Sequence, residues 1–225
     1  MRKILSIFLI IIALIAGMVG CDGSEEEAVT FADPNLEAVV REAIAIPEGP
    51  IYPSDLDSLT HLDAESMGIV DLTGLEYCTN LTDLDLVGNQ ISDISPLANV
   101  TSLTRLELRD NPISDISPLA NLTNLTYLNL IFNPISDISP LANLASLTVL
   151  FLFGNQISDI SPLANLTSLT WLYLYDNQIS DISSLVDNEG LSEEDYIDLR
   201  WNPLSSDSVN ICIPQLEARG VDISY

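Results

Sequence analysis

Between Leu59 and Asn202 the apolar residues recur with a spacing that neither a long helix nor a plain strand explains. One unit runs Leu103, Leu106, Leu108 and then Asn111. Asn89, Asn111, Asn133, Asn155 and Asn177 fall 22 residues apart, each preceded by leucines at the same three offsets. The Leu-x-Leu step has period two, so it predicts a short strand with both leucines pointing inward. A near-copy of one phrase follows each Asn. It reads Gln90-Ile91-Ser92-Asp93-Ile94-Ser95-Pro96-Leu97-Ala98-Asn99 in one copy and Gln156 to Asn165 in another. Ser-Pro-Leu predicts a short helical turn, with Ser as N-cap and Pro at the first helical position. Strand and turn repeated at a fixed period build a solenoid, in which each unit buries its core against its neighbours.

Two worn copies flank these five. Leu59, Leu62 and Ala64 precede Met67, which lies 22 before Asn89. Ile197 and Leu199 precede Asn202, which lies 25 after Asn177, so the turn from Val186 to Glu194 holds three extra residues. Residues 59–204 thus make seven coils. Terminal coils need covers. Asp33-Pro34 predicts an amphipathic helix carrying Leu36, Val39, Val40, Ala43 and Ile44, ended by Pro47 and Gly49-Pro50. Residues 33–58 form this N-terminal cap, with a second turn at Ser54-Asp55-Leu56. Residues 205–225 form the C-terminal cap: a helix from Ser206 to Arg219, kinked or shortened by Pro214 and stopped by Gly220, then a strand over Val221 to Tyr225.

The unit Leu-x-x-Leu-x-Leu-x-x-Asn-x-Ile resembles the leucine-rich repeat. Its length of 22 and the phrase Ile-Ser-Asp-Ile-Ser-Pro-Leu are similar to the bacterial internalin-type class, over residues 59–204. The resemblance implies an α/β solenoid: a right-handed, curved array with a concave parallel sheet, short 3-10 or helical turns on the convex side, and caps at both ends. It also implies that each Asn side chain bonds the backbone of adjacent coils.

The repeats contain their own comparison. Positions flanking the inward leucines vary from coil to coil and point out from the sheet. In the first three coils they are charged: His61, Asp63, Glu65, Asp83, Asp85, Arg105, Glu107 and Arg109. In the last four they include Tyr127, Phe132, Phe151, Phe153, Trp171, Tyr173, Tyr175, Tyr196 and Trp201, among them both Trp of the chain. Stacking across strands would stabilise the sheet by about 0.2–1 kcal/mol per pair. Nine outward aromatics exceed that need, and aromatics with Arg are the usual anchors of interfaces. We read these nine, edged by Arg105 and Arg109, as a ligand-binding surface. A protein ligand is expected first, a carbohydrate second, and a passive spacer is the third reading.

Other chemistry is sparse. The single His, His61, has no triad partner and no zinc spacing around it. No Gly-rich phosphate loop appears. The convex column Asp71, Asp93, Asp115, Asp137, Asp159 and Asp181 suits Ca2+ in ligand type, but one Asp per coil offers few ligands. The reading taken is that each Asp bonds its own turn. No enzyme activity, metal or cofactor is expected.

Targeting changes the picture more. Arg2 and Lys3, an apolar run from Ile4 to Ala16, and Gly17-Met18-Val19-Gly20-Cys21 have the layout of a secretory signal over residues 1–20. The apolar run is short for a spanning helix. The last five residues resemble a bacterial lipobox, with Met18 where Leu is usual. That implies lipidation of Cys21, a flexible tether over 21–32, and anchoring at the cell surface or envelope after secretion. Membrane contact would be through the lipid alone. Cys78 and Cys212 lie at opposite ends of the array, too far apart to bridge, so both are expected as buried free thiols. The chain carries 33 acidic and 7 Lys and Arg residues, a formal charge of −26. Such a surface repels nucleic acid and favours a soluble monomer.

Overall fold

The computed structural model describes residues 26–225. Eight short parallel strands form one sheet in chain order. They are β1 (His61–Asp63), β2 (Asp83–Asp85), β3 (Arg105–Glu107), β4 (Tyr127–Asn129), β5 (Val149–Phe151), β6 (Trp171–Tyr173), β7 (Tyr196–Asp198) and β8 (Asp222–Ser224). The register is strict. Leu62, Leu84, Leu106, Leu128, Leu150, Leu172, Ile197 and Ile223 stand in one row. A slip by one residue would turn every inward leucine to solvent, so the core itself fixes that register.

The core is continuous from Phe31 to Val221. Leucines of the repeat columns, such as Leu103, Leu106 and Leu108, are wholly buried. Each contributes roughly 1.5–3 kcal/mol by leaving water. Behind the sheet, 3-10 turns at Ser95–Asn99, Ser117–Asn121, Ser139–Asn143 and Ser161–Asn165 point Leu97, Leu119, Leu141 and Leu163 inward. The expected Ser cap is corrected here. Ser95 is the first residue of its turn, and its backbone N–H donates to Asp93 Oδ1 at 2.8 Å. The turn starts one residue earlier than an N-cap Ser requires, so Ser95 takes its first position and the Asp two residues before it accepts the free N–H. The same bond, at 2.8 Å, recurs from Asp71 to Asp181.

The asparagines close the gap between strand and turn. Asn133 Nδ2 donates to the carbonyls of Leu108 and Leu130, while its Oδ1 accepts from Ile113 N–H at 3.1 Å. Asn89, Asn111, Asn155, Asn177 and Asn202 repeat this pattern. A second ladder runs up the strand entrances. The hydroxyls of Thr82, Thr104, Thr126, Thr148 and Thr170 each donate to the carbonyl of the Thr one coil earlier.

The N-terminal cap helix α1 spans Pro34–Ile44 and buries Leu36 and Val40. It ends at Ala45, which takes a left-handed C-cap conformation, before Pro47 is reached. Asp33 caps it through Oδ1, which accepts from Asn35 and Leu36, and its Oδ2 accepts from Val70 at 2.7 Å. Burial pushes the Asp33 carboxyl up, but the N–H donors of Val70, Asn35, Leu36 and Asp71 together hold it below its usual value. It is therefore charged at neutral pH and ties the cap to the first coil. A four-residue helix, α2 (Pro53–Leu56), leads into β1.

The tether expected over 21–32 is corrected for its second half. Val29 N–H donates to Ile51 O at 2.8 Å, Phe31 is buried, and Ser54 bonds Glu26. Two apolar residues among the acidic ones are enough to dock it. Cys21 and the signal segment lie outside the described residues.

At the other end, α3 (Ser183–Asp187) replaces a 3-10 turn and precedes the three extra residues. Asn188 stands in the column of Cys78, Val100, Leu122, Leu144 and Leu166, and is wholly buried. Its amide donates to Leu163 O and Leu166 O. Arg219 then binds the carbonyls of Val186 and Asn188, closing the cap over the insertion. The helix expected from Ser206 starts there and is helical through Glu217, with a π-helical turn over Ser208–Cys212 that runs into α4, Ile213–Glu217. Pro214 has no N–H to give the preceding turn, so the ladder shifts there. This turn leaves Cys212 half-buried, a correction to the expected burial, while Cys78 is fully enclosed.

Two predictions follow from the ladder and the thiols. Asn133→Ala strands a buried N–H and two carbonyls and should cost about 2–4 kcal/mol in urea denaturation. Asn202→Ala, half-buried, should cost about half as much. Burial, with Glu76 nearby, pushes the Cys78 thiol up to about 12, so it is protonated at neutral pH. A maleimide at pH 7.5 should label Cys212 in the native protein and Cys78 only after unfolding, read by mass spectrometry.

Candidate functional site

The outward positions of β4 to β7 bring the nine aromatic side chains onto one face of the sheet. Parallel in-register pairing sets the same positions of successive coils beside each other, about 4.8 Å apart. The rings therefore stack across strands. One row holds Tyr127, Phe151, Tyr173, Trp171 and Tyr196. Phe151 lies on Tyr173 at 4.7 Å with 15° between planes, and Tyr173 meets Tyr196 at 5.5 Å. The second row runs Phe132, Phe153, Tyr175 and Trp201, with centroids 4.5–4.7 Å apart. Residues two apart on a strand project to the same side about 7 Å apart, so the rows run side by side along the array.

Most of these rings are half-buried by each other. Phe132, Trp171 and Trp201 are exposed, at 45%, 47% and 73%. Stacking and exposure thus coexist: the rows brace the sheet and still leave their ends open. Burial and Glu107 push the Tyr127 phenol up, and burial with Tyr196 and Asp198 does the same for Tyr173. Both remain neutral hydroxyls at physiological pH.

Phe132 and Trp201 also sit on left-handed backbone. The residue before each ladder Asn has positive φ: glycine in two coils, Gly88 and Gly154, aspartate in two, Asp110 and Asp176, and an aromatic in two, Phe132 at φ 53° and Trp201 at φ 58°. Left-handed backbone costs a residue with a Cβ about 1–2 kcal/mol. Gly154 also makes room for its neighbour: a Cβ there would lie 2.5 Å from the Phe132 ring.

The arginines at the expected edge of the face are paired within the chain. Arg105 hydrogen-bonds Glu107, lies 3.8 Å from Asp83, and stacks its guanidinium 3.9 Å above the Tyr127 ring. Arg109 pairs with Asp110 at 2.9 Å. Arg105 is therefore a joint between the charged and aromatic halves, engaged within the chain. Asp198 and Arg200, absent from the expected site, form a two-point pair at 2.9 and 2.5 Å, with Arg200 over the Tyr175 ring. His61 is exposed and bonds Thr60. The convex Asp residues are occupied with their turns, and among the described residues no His, Cys, Asp or Glu cluster is arranged to hold a metal ion.

The signal for the Thr ladder was present in the sequence, since Thr60, Thr82, Thr104, Thr126, Thr148 and Thr170 share the period of 22. Asn188 was legible as well, by its place in the column of Leu166.

The family model for leucine-rich repeats in pairs of copies matches residues 57–99, 101–143 and 145–187. The chain belongs to the leucine-rich-repeat family. Among solved structures, this leucine-rich-repeat protein is similar to an internalin (inlF) of Listeria monocytogenes, with 35% identity and a TM-score of 0.77. The match covers 86% of this chain and 55% of that one, so the chain spans about half the length of this relative. An internalin C2 (inlC2) from the same organism is 33% identical, with a TM-score of 0.62 over 86% of this chain and 94% of the other. A plant peptide hormone receptor, RGFR1, solved in complex with RGF2, is 27% identical, with a TM-score of 0.50 over 57% of this chain and 22% of that chain. No curated protein matches significantly. Among the described residues no helix is long and apolar enough to cross a membrane.

The strained and packed positions of this repeat face make a prediction about stability. Gly154→Ala should destabilise by roughly 1–3 kcal/mol, from both the backbone and the Phe132 overlap. Trp201→Gly should change stability by less than about 1 kcal/mol, because relief of the left-handed backbone offsets the lost stack on Tyr175. Thermal and urea denaturation of both variants measure this.

Proposed function

We propose that this protein is a non-catalytic, extracytoplasmic binding module that recognises a protein ligand through the aromatic face of its sheet. The observation that carries the reading is Trp201. It is largely exposed, it sits on costly backbone, and it ends a row of stacked rings with no core left to fill. Strained, exposed aromatics of this kind are retained for contact more readily than for folding. Tyr127, Phe132, Phe151, Phe153, Trp171, Tyr173, Tyr175, Tyr196 and Trp201 supply the contact area, and Arg105 and Arg109 mark its edge. The breadth of the face, over four coils, suits a protein more than a sugar, which needs two or three rings. The plant peptide hormone receptor solved in complex with RGF2 is a precedent for a similar structure that takes a peptide partner. The secretion signal and lipidation at Cys21 extend the proposal: the module is held at the cell surface or envelope by a lipid.

The test is capture. The protein and a Phe151→Ser/Tyr173→Ser/Trp201→Ser variant, matched for folding by circular dichroism, are used to capture ligands from extracellular protein and glycan mixtures. The expected outcome is a protein captured by the unaltered face and lost, by roughly 100-fold or more in affinity, in the variant. Equal capture by both would move the site elsewhere, and capture of glycans alone would replace a protein ligand by a carbohydrate. Mass spectrometry of the membrane fraction should find the chain starting at a diacylated Cys21, and Cys21→Ser should release it.

A further inference from the structure

The sheet face has two halves of different chemistry, and the unpaired charge on it has one sign. Over β4 to β7 it is aromatic. Over β1 and β2 it presents Asp63, Glu65, Asp83 and Asp85, exposed or half-buried, and Asp63, Asp83 and Asp85 line a shallow depression with His61 and Leu62. Apart from His61, which bonds Thr60, every basic side chain among the described residues is an arginine, and each is already engaged. Arg41 bonds Glu37, Arg105 bonds Glu107, Arg109 bonds Asp110, Arg200 bonds Asp198, and Arg219 bonds backbone carbonyls. Only Arg105 approaches the acidic group, at 3.8 Å from Asp83. An occupant that covers the whole face must therefore bring its own cations to β1 and β2. Covering those carboxylates with a neutral surface would desolvate them without compensation. A phosphate backbone would add repulsion.

The geometry sets the size. From β1 to β7 there are six strand spacings of about 4.8 Å, or about 29 Å. An extended polypeptide covers that in about nine residues at about 3.3 Å each. We propose, resting on the binding reading above, that the face holds an extended polypeptide segment lying across the strands, basic over β1 and β2 and apolar over β4 to β7. The two halves do different work. The rings hold the segment through buried area, which governs its release. The carboxylates choose its sign and direction, and speed its arrival. Arg105, locked between Glu107 and Tyr127, marks the boundary where the basic stretch ends.

The test uses the whole chain and three labelled synthetic peptides, read by fluorescence anisotropy at low and high salt. The first has four lysines, two glycines and then Leu-Trp-Phe-Leu. The second has glutamates for the lysines, and the third has serines for the apolar four. The lysine peptide should bind roughly tenfold or more tighter than either of the others. Asp63→Asn/Asp83→Asn/Asp85→Asn keeps every Oδ1 acceptor, and it should weaken the lysine peptide by roughly tenfold and flatten its salt dependence. Glu48→Gln/Glu189→Gln/Glu217→Gln removes the same charge from exposed sites elsewhere, and should weaken it by less than about threefold. Equal binding of the lysine and glutamate peptides, equal loss in the two charge variants, or no binding of the lysine peptide would each overturn the inference. In those cases the aromatic reading stands if the Phe151, Tyr173 and Trp201 variant still loses its captured ligand. If that variant binds the lysine peptide as well as the unaltered chain does, the aromatic reading falls too.

Discussion

Each ladder asparagine does in one side chain what a longer connection would otherwise do with backbone. A coil of 22 residues must leave its strand, turn behind the sheet and return about 4.8 Å along. The tight exit from the strand leaves carbonyls facing inward and an N–H of the next segment without a partner. Asn133 answers both, donating to Leu108 and Leu130 and accepting from Ile113 of the preceding coil. Asp would reject the two carbonyls, and Leu would leave three buried polar groups unpaired. The leucine columns can then pack without a polar group to interrupt them. The outward positions are relieved of any structural duty beyond stacking, which is what frees them to differ.

This division explains how much could be read before any coordinates. Identity between coils reveals what the scaffold requires, so the leucines, the asparagines, the sheet order and the cap helix at Pro34 were all legible. Variation revealed the face, and the nine aromatics do lie together on it. What escaped was local and unrepeated. Nothing in the run Glu26 to Ala32 announces that Phe31 will find Gly74, where a Cβ would lie 2.4 Å from its ring. Arg219 gave no sign of reaching back to Asn188, 31 residues earlier. Nor did the periodic reading show that Arg105 is paired with Glu107 and stacked on Tyr127. Such contacts depend on where the chain returns in space, which only the repeats make predictable.

The caps and the array solve opposite problems. Within the array every coil meets a neighbour of its own kind. At the ends the chain must present something unlike a coil. The N-terminal side uses a charged carboxylate, Asp33, to join helix and coil at once. The C-terminal side breaks the period, inserting residues after a buried amide and tying them down with a guanidinium. The last strand, β8, follows the register of the others without an Asn of its own.

The near-identity of the middle coils has a genetic consequence. Successive copies from Asn89 to Asn177 share one scaffold and meet one another through the same bonds, so the junction between any two is equivalent to the next. A gene that gains or loses one whole copy by unequal recombination therefore encodes a chain whose ladders still close and whose caps still fit. Each such step would add or delete one row of outward residues and leave the inward columns and ladders unbroken.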